Sequence, residues 1–432
     1  MQKTMKELID GQSLSKLQYA TFFVCFVMNI LDGMDVMVIS YCASAIAKSW
    51  QVGPEELGIV FSSGLAGMMI GAMFLAPFAD KIGRKKMILI SAFLMGASML
   101  MTAWSQNVSE LILLRFLSGI GIGSMLASTA ALTAEYAPDG KRDFWVSFVL
   151  SGYPVGAVLT GIVSASLVPA YGWPIMFKLA GLASFICLPL IYFLLAESIY
   201  FYIKKQPKGA LLSANTILSK LGHEALERLP KREVKSSGIP VNKLLNKEYR
   251  IPTYQLWTAL FMAFGCLYFL ISWIPKLAEA TGLSMSLAIY AGTVFNVGAF
   301  FGIIIQGYFS SRTGLKRTVA VFLVVTGILM ATFKLFSDSS ALLFVIGLLG
   351  FTLQGGFVGL YAVAARMYPT EFRTTGLGWA IGIGRLGAVI GPALGGVLIG
   401  MGLSMAENFL IFSIPAIIAG VITFYLASTK LS

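Results

Sequence analysis

Residues 71–86 read GAMFLAPFADKIGRKK and join two apolar stretches of the chain. Gly71 permits a close helix contact, Gly83 permits a tight turn, and Asp80 can interact with a helix N-terminus and a facing arginine. The basic residues at its end, Arg84 among them, suit the cytoplasmic side of a membrane. A simple positive anchor would leave the acid and the spaced glycines unexplained, so we expect these four residues to have a more specific role.

A second copy of this pattern follows 231 residues later, and the same offset relates other parts of the chain. In the second copy Ser311 replaces Asp80 and Leu315 replaces Arg84, which predicts a weaker second gate. The repeat indicates two related, parallel halves with a binding site at their interface. The corresponding residues are Gly71 and Gly302, Gly83 and Gly314, Lys85 and Lys316, Lys86 and Arg317, Pro138 and Pro369, Arg142 and Arg373, and Gly156 and Gly387.

The composition is that of a membrane protein. Hydrophobic residues make up 57% of the 432, charged residues 12%, and the mean hydropathy is +0.80. The apolar stretches predict an all-α membrane protein with twelve transmembrane helices in two pseudo-symmetric six-helix halves. The predicted spans are 19–46, 57–79, 87–105, 111–134, 144–168, 175–195, 254–274, 288–309, 318–336, 341–365, 376–401 and 407–427. The predicted domains are an N-terminal bundle (1–196), a cytoplasmic linker (197–250) and a C-terminal bundle (251–432).

Charge is distributed unevenly about these spans. Most of the 32 lysine and arginine residues fall on the side that carries both termini, which the positive-inside rule makes cytoplasmic. We therefore expect a multi-pass protein of the bacterial inner (plasma) membrane, embedded in the lipid bilayer as a monomer, with both termini in the cytoplasm. The net charge of +12 reflects this topology and indicates no nucleic-acid partner, because no contiguous basic and aromatic surface accompanies it.

Asp32 and Asp35 lie three residues apart near the middle of the first span. A carboxylate at this depth costs about 2.5 kcal/mol or more, so the pair indicates a functional site. The other charged residues well inside the predicted spans are Arg115 in the fourth and Arg385 in the eleventh. The only histidine, His223, lies in the linker, so a proton carrier within the membrane would have to be a carboxylate.

Arg385 needs a counter-charge at mid-membrane depth, and the C-terminal spans offer no acid at a similar depth. A substrate carboxylate could supply it with the bidentate geometry that suits arginine. A counter-ion from the first span, such as Asp32, is the alternative. Tyr153, Gln354 and Trp379 are our individual candidates for further substrate contacts. The wider set that could line a cavity for a flat ring is Tyr41, Tyr153, Phe264, Tyr268, Trp273, Asn296, Gln354, Tyr361 and Trp379.

The segment 71–86 resembles the signature loop between helices two and three of the major facilitator superfamily. The resemblance implies a loop that clamps the cytoplasmic ends of the two halves together when the protein faces outward. Salt bridges at such a gate are partly solvated, so each one contributes little to stability, but together they can bias the equilibrium between two conformations. Other residues that resemble cytoplasmic positions of the superfamily, and are predicted to form gate salt bridges, are Glu135 with Arg142, Arg366 with Glu371 and Arg373, and Glu197 beside Ser198.

Residues 31–35, LDGMD, look like the Asp-Gly-x-Asp signature of the aromatic acid:proton symporters within this superfamily, and the resemblance covers essentially the whole chain. Arg373 and Arg385 match arginines that this family requires. Sugar-porter-like members pair an acid in helix one with an arginine in helix four, which implies proton coupling through Asp35 and Arg115. Burial favours the neutral carboxyl and the arginine favours the carboxylate, so moving Arg115 away would load the proton. A static buried pair, or an arginine that snorkels outward, is the alternative.

The family resemblance implies a symporter that imports a small aromatic carboxylate of the benzoate or hydroxybenzoate type together with a proton, by alternating access. The proton gradient would supply the energy, so we expect no cofactor and no metal. Asp32 would be a second proton site or the counter-charge of Arg385. Where the family often has an Asp and a His between helices eight and nine, this chain has Ser310, Ser311 and Leu315.

Other functions stay open at the level of sequence. The alternatives are a sugar-porter-like carrier, a carrier of another organic acid such as muconate or nicotinate, and a membrane sensor that keeps the fold without transport. An enzyme finds no support, because no Walker loop, paired metal ligands or nucleophile arrangement is present in the sequence.

Overall fold

The computed structural model describes residues 14–138, 141–223, 225–230, 244–336, 338–368 and 373–426, without the side chains of residues 143, 373 and 374. Within these ranges the chain is helical and contains no strand. The helices that run through the bundle are α1 (Lys16–Trp50), α2 (Pro54–Ile82), α3 (Arg84–Thr102), α4 (Val108–Tyr136), α5 (Phe144–Tyr171), α6 (Pro174–Leu194), α7 (Arg250–Ala280), α8 (Met285–Thr313), α9 (Leu315–Ala331), α10 (Ser339–Met367), α11 (Arg373–Gly400) and α12 (Met405–Phe424).

The predicted twelve-helix membrane fold is confirmed. Among the described residues, eleven helices are long and apolar enough to cross a membrane. The remaining one, α9, has 17 residues, which correspond to about 25 Å and lie at the short end of the range for a spanning helix. We call the end of the bundle at which α1 begins and α12 ends the linker end, because the connection between α6 and α7 also lies there.

Local sequence signals set the ends of several helices. Ser15 and Gln18 form a reciprocal capping box at the start of α1, and the Asn107 side chain accepts the Glu110 amide at the start of α4. Gly83, which joins α2 to α3, has a φ of +104°, a conformation that glycine adopts without steric cost. Its repeat equivalent Gly314, between α8 and α9, has a φ of +91°. The two halves therefore use the same turn at equivalent places.

Glycine contacts repeat across the two halves with the offset of 231 residues. A Cβ atom at Gly71 would overlap the backbone of Ile120 on α4, and a Cβ at Gly302 would overlap the backbone of Phe351 on α10. These glycines let neighbouring helices approach at backbone distance, as expected for Gly71 from the sequence. The same offset relates a second pair of contacts. A Cβ at Gly156 on α5 would overlap the Ile30 backbone on α1, and a Cβ at Gly387 on α11 would overlap the Phe261 backbone on α7. The repeat in sequence is thus a repeat of helix packing.

In the described part of the chain, serine hydroxyls join the halves along three helix pairs. Between α1 and α7, the Ser40 hydroxyl donates to the Ile271 carbonyl at 2.7 Å. Between α2 and α11, the Ser62 hydroxyl donates to the Val389 carbonyl at 2.6 Å, and between α5 and α8 the Ser286 hydroxyl donates to a backbone carbonyl of α5 at 2.9 Å. These contacts lie in the half of the bundle away from the linker end. The described contacts therefore seal the bundle at the opposite end.

Helix α2 changes its winding as it approaches the linker end. It is α-helical over Pro54–Ile70, π-helical over Gly71–Leu75 and 3₁₀-helical over Ala76–Phe78 before a last short turn. Such π-helical interruptions are frequent at functional sites. The linker carries two short helices, Ile199–Lys205 and Ala210–Lys220.

Candidate functional site

Asp35 and Arg115 form a buried ion pair inside the N-terminal half. Arg115 Nη1 lies 2.8 Å from Asp35 Oδ1, and each side chain is 3% exposed. The Ser118 hydroxyl, one helical turn after Arg115 on α4, donates to Asp35 Oδ2. Both carboxylate oxygens of Asp35 are therefore occupied by partners on the same neighbouring helix. The pairing of Asp35 with Arg115 follows the geometry that the sequence suggested.

The environment of this pair comes mostly from the N-terminal half. Arg115 Nη2 contacts the Met99 sulfur of α3 at 2.6 Å, and its guanidinium lies over the Phe177 ring of α6, 5.2 Å from the ring centroid. A small cavity of about 30 Å³ lies beside the pair and is lined in part by Tyr268 and Ser272 of α7. That volume holds one or two water molecules. The pair is enclosed by its own half and reaches the partner half through a water-sized space.

Asp32 has a different environment. It is 2% exposed, and its Oδ1 atom has no hydrogen-bond partner among the described residues. The groups that interact with it electrostatically include Arg385 of α11, Tyr153 of α5 and Tyr268 of α7. Gly33 explains the approach of α5, because a Cβ there would overlap the carbonyl of Tyr153. Asp32 thus faces the boundary between the two halves.

Arg385 lies near the middle of α11 and is 9% exposed. Its guanidinium lies over the Phe264 ring at 5.8 Å, and its Nη1 atom is 4.0 Å from the Met68 sulfur of α2. It interacts with the Tyr268 and Tyr361 hydroxyls and with Asp32. Within the described residues, no carboxylate oxygen lies within 4.0 Å of this guanidinium. The Arg385 guanidinium is therefore buried beside aromatic groups, and no carboxylate of the described residues forms an ion pair with it.

Aromatic rings of α7 and α10 enclose this arginine. Phe264 meets Phe357 edge to face, with centroids 4.6 Å apart, and Tyr361 at 6.3 Å. Tyr268 is parallel to Phe264, with centroids 6.1 Å apart. We call these four rings, Phe264, Tyr268, Phe357 and Tyr361, the aromatic box, and ring faces and edges are the surfaces against which another planar ring packs. Phe357 was not among the sequence candidates, although its spacing of four from Tyr361 places both on one face of α10.

The other predicted substrate residues have distinct positions. The Tyr153 hydroxyl and the Gln354 Oε1 atom are buried, and each lacks a hydrogen-bond partner in the described part of the chain. Trp379 is 44% exposed and stacks on Trp257, with centroids 6.2 Å apart and planes at 27°. It lies six residues before Arg385, about 9 Å toward the linker end. Trp379 is therefore placed on a separate aromatic surface, outside the box around Arg385.

Three further candidates for the cavity donate hydrogen bonds to backbone carbonyls, and two of them thereby join neighbouring helices. Tyr41 donates to the Ala157 carbonyl at 3.2 Å, linking α1 to α5. Trp273 donates to the Pro392 carbonyl at 2.9 Å, linking α7 to α11. Asn296 donates to a carbonyl of its own helix, and its Oδ1 atom has no partner among the described residues. No group of three or more His, Cys, Asp or Glu side chains in these residues could hold a metal ion.

The predicted gate residues of the first half gather at the linker end. Arg84 pairs with Glu135 at 2.8 Å. Glu197 Oε1 accepts the backbone amides of Arg84 at 2.7 Å and Lys85 at 3.1 Å, so it caps the start of α3. A Cβ at Gly83 would overlap the Glu197 carboxylate, which adds a second reason for glycine there.

One predicted pairing in this cluster is wrong. The sequence placed Arg142 opposite Glu135, but Arg142 Nε donates to the Ala134 carbonyl at 2.9 Å, and Arg84 takes the carboxylate. The reason is tertiary: α2 and α3 bring Arg84 to the end of α4, while the turn before α5 directs Arg142 to the backbone. Asp80 is exposed, and the helix-capping role that its position suggested is performed by Glu197.

The remaining predicted gate residues belong to the second half. Arg366 is exposed near the end of α10. The Arg373 side chain and its suggested partner Glu371 lie outside the described residues. Sequence reasoning also missed Ser118, whose only signal is its spacing of three from Arg115 on one helix face.

Comparison with known proteins gives the family. The model of the Major Facilitator Superfamily matches residues 25–306 and 256–431. The gallate transporter of Pseudomonas putida is 33% identical over 96% of this chain and 93% of its own length. The 4-hydroxybenzoate transporter PcaK of Acinetobacter baylyi is also 33% identical, with the same coverage of both chains.

Solved structures give the same fold. The xylose transporter XylE of Escherichia coli, in a partially occluded inward-open conformation, superimposes with a TM-score of 0.76 and 18% identity over 96% of this chain and 99% of that one. The full-length relatives are named transporters, so the expectation that the chain is not an enzyme is confirmed. The chain is a multi-pass membrane solute transporter that belongs to the Major Facilitator Superfamily, in the group that includes the gallate and 4-hydroxybenzoate transporters.

Proposed function

We propose that this transporter is a proton-coupled symporter that imports a small aromatic carboxylate, of the benzoate or hydroxybenzoate type, by alternating access. The linker end faces the cytoplasm of a bacterial cell in this proposal, and the chain works as a monomer in the inner membrane. The proton gradient supplies the energy without a cofactor.

One observation carries the choice of an anion. Arg385 is buried at mid-helix depth, and no carboxylate in the described residues contacts it. A guanidinium at this depth is costly unless a counter-charge reaches it. A substrate carboxylate that enters between the halves provides that charge through two parallel hydrogen bonds. In this proposal the Arg385 guanidinium is therefore part of the substrate site.

The surroundings of Arg385 support an aromatic substrate. The guanidinium lies over the Phe264 ring, and Phe357 and Tyr361 pack against that ring. A benzoate ring attached to the bound carboxylate would extend into this box, where stacking and edge contacts add to its apolar burial. Tyr153 and Gln354, whose polar atoms lack partners among the described residues, are our candidates for binding ring substituents. The named relatives transport gallate and 4-hydroxybenzoate, which agrees with this substrate class.

The acidic pair supports coupling to protons. Asp32 and Asp35 are both buried, Asp35 beside Arg115 and Asp32 beside the boundary of the halves. The only histidine of the chain lies in the linker, so these carboxylates are the proton carriers available along the transport path. The linker-end cluster of Gly83, Arg84 and Glu135 acts as a gate that biases the two conformations.

A sugar substrate is less well supported. The resemblance to the xylose transporter is a resemblance of fold at 18% identity. A neutral sugar would leave the Arg385 charge uncompensated, because hydroxyl groups carry no counter-charge. The carboxylate proposal satisfies the cation and the aromatic box together.

The decisive experiment is uptake into proteoliposomes. Labelled 4-hydroxybenzoate, benzoate and xylose are supplied with and without an inward proton gradient. We expect gradient-driven accumulation of the aromatic acids and none of xylose. Accumulation of no carboxylate under a proton gradient would reject the symporter, whereas binding without uptake would favour a sensor.

A further inference from the structure

An apolar groove runs between α3 and α6 on the outer surface of the N-terminal half. It has a volume of about 550 Å³ and lies in the part of both helices that is nearest the linker end. Both helices are long and apolar enough to span a membrane, so lipid surrounds the exposed side chains of this groove. The lining side chains include Leu89, Ile90 and Phe93 of α3 and Pro189, Tyr192 and Phe193 of α6.

The second half is packed differently at the equivalent place. In the repeat, α9 and α12 correspond to α3 and α6, and Gly420 corresponds to Pro189. A Cβ at Gly420 would overlap the Val324 side chain and the Ala320 carbonyl of α9, so these helices meet at backbone distance. Ala320 corresponds to Leu89, which lines the groove. The proline ring and the larger side chains of α3 exclude such a contact in the first half, and the groove takes its place.

Further from the linker end, α3 and α6 are in close contact. A Cβ at Gly181 on α6 would overlap Leu100 on α3. The Phe93 and Phe185 rings meet edge to face, with centroids 5.7 Å apart. These contacts mark the inner end of the groove, deep in the membrane span. A chain lying in the groove would therefore run from there toward the linker end.

Two lysines lie at the outer end of the groove. Lys85 and Lys86 belong to the first turn of α3. Lys86 is on the helix face of Ile90 and Phe93, which follow it by four and seven residues. The Lys85 ammonium donates to the Tyr192 carbonyl at 2.6 Å and lies 5.4 Å from the centroid of that ring. Both cations therefore border the apolar groove at the depth where lipid headgroups begin.

The charge of these lysines is not balanced by the described residues. No carboxylate oxygen among them lies within 4.0 Å of either ammonium. The nearby Glu197 Oε1 accepts the backbone amides of Arg84, Lys85 and Ser198, so it is engaged at the start of α3. An ammonium group has three N–H donors, and the Tyr192 carbonyl takes one of those of Lys85. Donors and positive charge thus remain for an anion at this end of the groove.

We propose that the groove holds an acyl chain of an anionic phospholipid, whose phosphate binds the ammonium groups of Lys85 and Lys86. The apolar walls match the acyl chain, and the lysines match the headgroup charge, as in other basic pockets between membrane helices. A zwitterionic lipid fits the groove equally well but brings its own cation next to the lysines, so the site prefers the anionic lipid. The site shares no residue with the substrate site and does not depend on the proposed function.

The test measures the lipids retained by the purified full chain. The protein is equilibrated in detergent with equal amounts of phosphatidylglycerol and phosphatidylcholine, and native mass spectrometry counts the bound lipids of each kind. We expect the wild type to retain one phosphatidylglycerol in preference. Lys86→Gln should lower this preference about fivefold, and Lys85→Gln with Lys86→Gln about 25-fold, because each basic residue near the headgroups contributes about a factor of five. If the double variant fails to fold, Lys86→Gln alone decides.

The matched control is Lys316→Gln with Arg317→Gln, the repeat equivalents of the two lysines. Lys316 also donates to a backbone carbonyl beyond the end of its partner helix, that of Leu426, at 2.7 Å. The control therefore removes similar charges and contacts beside helices that meet at backbone distance. We expect the lipid preference to stay unchanged. An equal loss in both double variants would overturn the inference, because any basic helix end would then suffice.

A second pair of variants separates the groove from its charges. Ile90→Trp places a large ring in the groove at an exposed position, and Val321→Trp does the same at the exposed equivalent position on α9. Retention of phosphatidylglycerol should fall in Ile90→Trp and hold in Val321→Trp. Undiminished retention in Ile90→Trp, or equal retention of both lipids by the wild type, would contradict the proposal. Neither result would affect the uptake of carboxylates, which is measured separately.

Discussion

Lys48 and Glu279 occupy equivalent positions of the two halves, 231 residues apart, and form an ion pair with a distance of 2.5 Å between Nζ and Oε1. Ser40 and Ile271, two turns further into the bundle, are related by the same offset and joined by a hydrogen bond. The pseudo-two-fold axis therefore passes between α1 and α7. An ion pair on this axis can join the halves only when they are closed at that end.

Removing this ion pair should favour opening of the end opposite the linker. Lys48 is 65% exposed, so Lys48→Ala should cost about 0.2–1 kcal/mol and shift the conformational population by up to about fivefold. Spin labels at Gln51→Cys and Thr281→Cys, both exposed at that end, report the change as a longer distance component. The charge-swapped variant Lys48→Glu with Glu279→Lys should restore the short distance. An unaltered distribution in Lys48→Ala would show that the pair does not act as a latch.

Arg385 should be required for binding but dispensable for folding. Arg385→Met is expected to weaken binding of 4-hydroxybenzoate by about 30-fold or more, because a buried charge pair is worth about 2 kcal/mol or more. Its thermal stability should hold or rise, since an uncompensated buried cation is removed. Arg385→Lys should bind with intermediate affinity, because it keeps the charge without the bidentate geometry.

Arg312→Ala, at an exposed arginine on α8, serves as the matched control and should bind normally. Calorimetric titration and thermal unfolding in detergent supply the two measurements. A lower melting temperature together with normal affinity in Arg385→Met would assign Arg385 to the structure of the bundle.

Glycines at helix crossings should be intolerant of a single added methyl group. Gly302→Ala places a Cβ against the Phe351 backbone, so we expect a loss of about 1–3 kcal/mol in stability. Gly307→Ala on the same helix meets nothing within 4 Å and should be neutral or slightly stabilising. Thermal unfolding of the two variants checks this. Equal stabilities would mean that α8 and α10 can separate without cost.

Glu197 should hold the first turn of α3. Glu197→Ala removes the acceptor of the Arg84 and Lys85 amides and should cost about 0.5–2 kcal/mol, as for other helix caps. Hydrogen exchange at these two amides should accelerate, while the start of α9 in the other half stays unchanged. Glu227→Ala, an exposed linker glutamate, is the control. Normal protection of the α3 amides in Glu197→Ala would assign the cap to another group.

The repeat and its glycines were predictable from the sequence, because glycine is required where the backbones of two helices are in contact. A side chain at Gly71 or Gly302 would overlap the backbone of a neighbouring helix, which accounts for glycine at both equivalent positions. Pairings at the linker end were not predictable. Arg142 lies seven residues after Glu135, yet the partner of that acid is Arg84, brought there from 51 residues earlier by the packing of α3 against α4.

The sequence by itself determined the twelve helices, the two halves, the buried aspartates and an arginine at mid-membrane depth whose counter-charge it left open, because apolar length, periodic glycines and the cost of charge in a membrane are local properties of the chain. The tertiary structure decided which buried charged residues lie near each other. The repeat equivalents of Asp32 and Arg385 are Ala263 and Pro154, so each charge occurs in one half only. Docking of the halves brings the two together across the boundary, while Asp35 is bound within its own half.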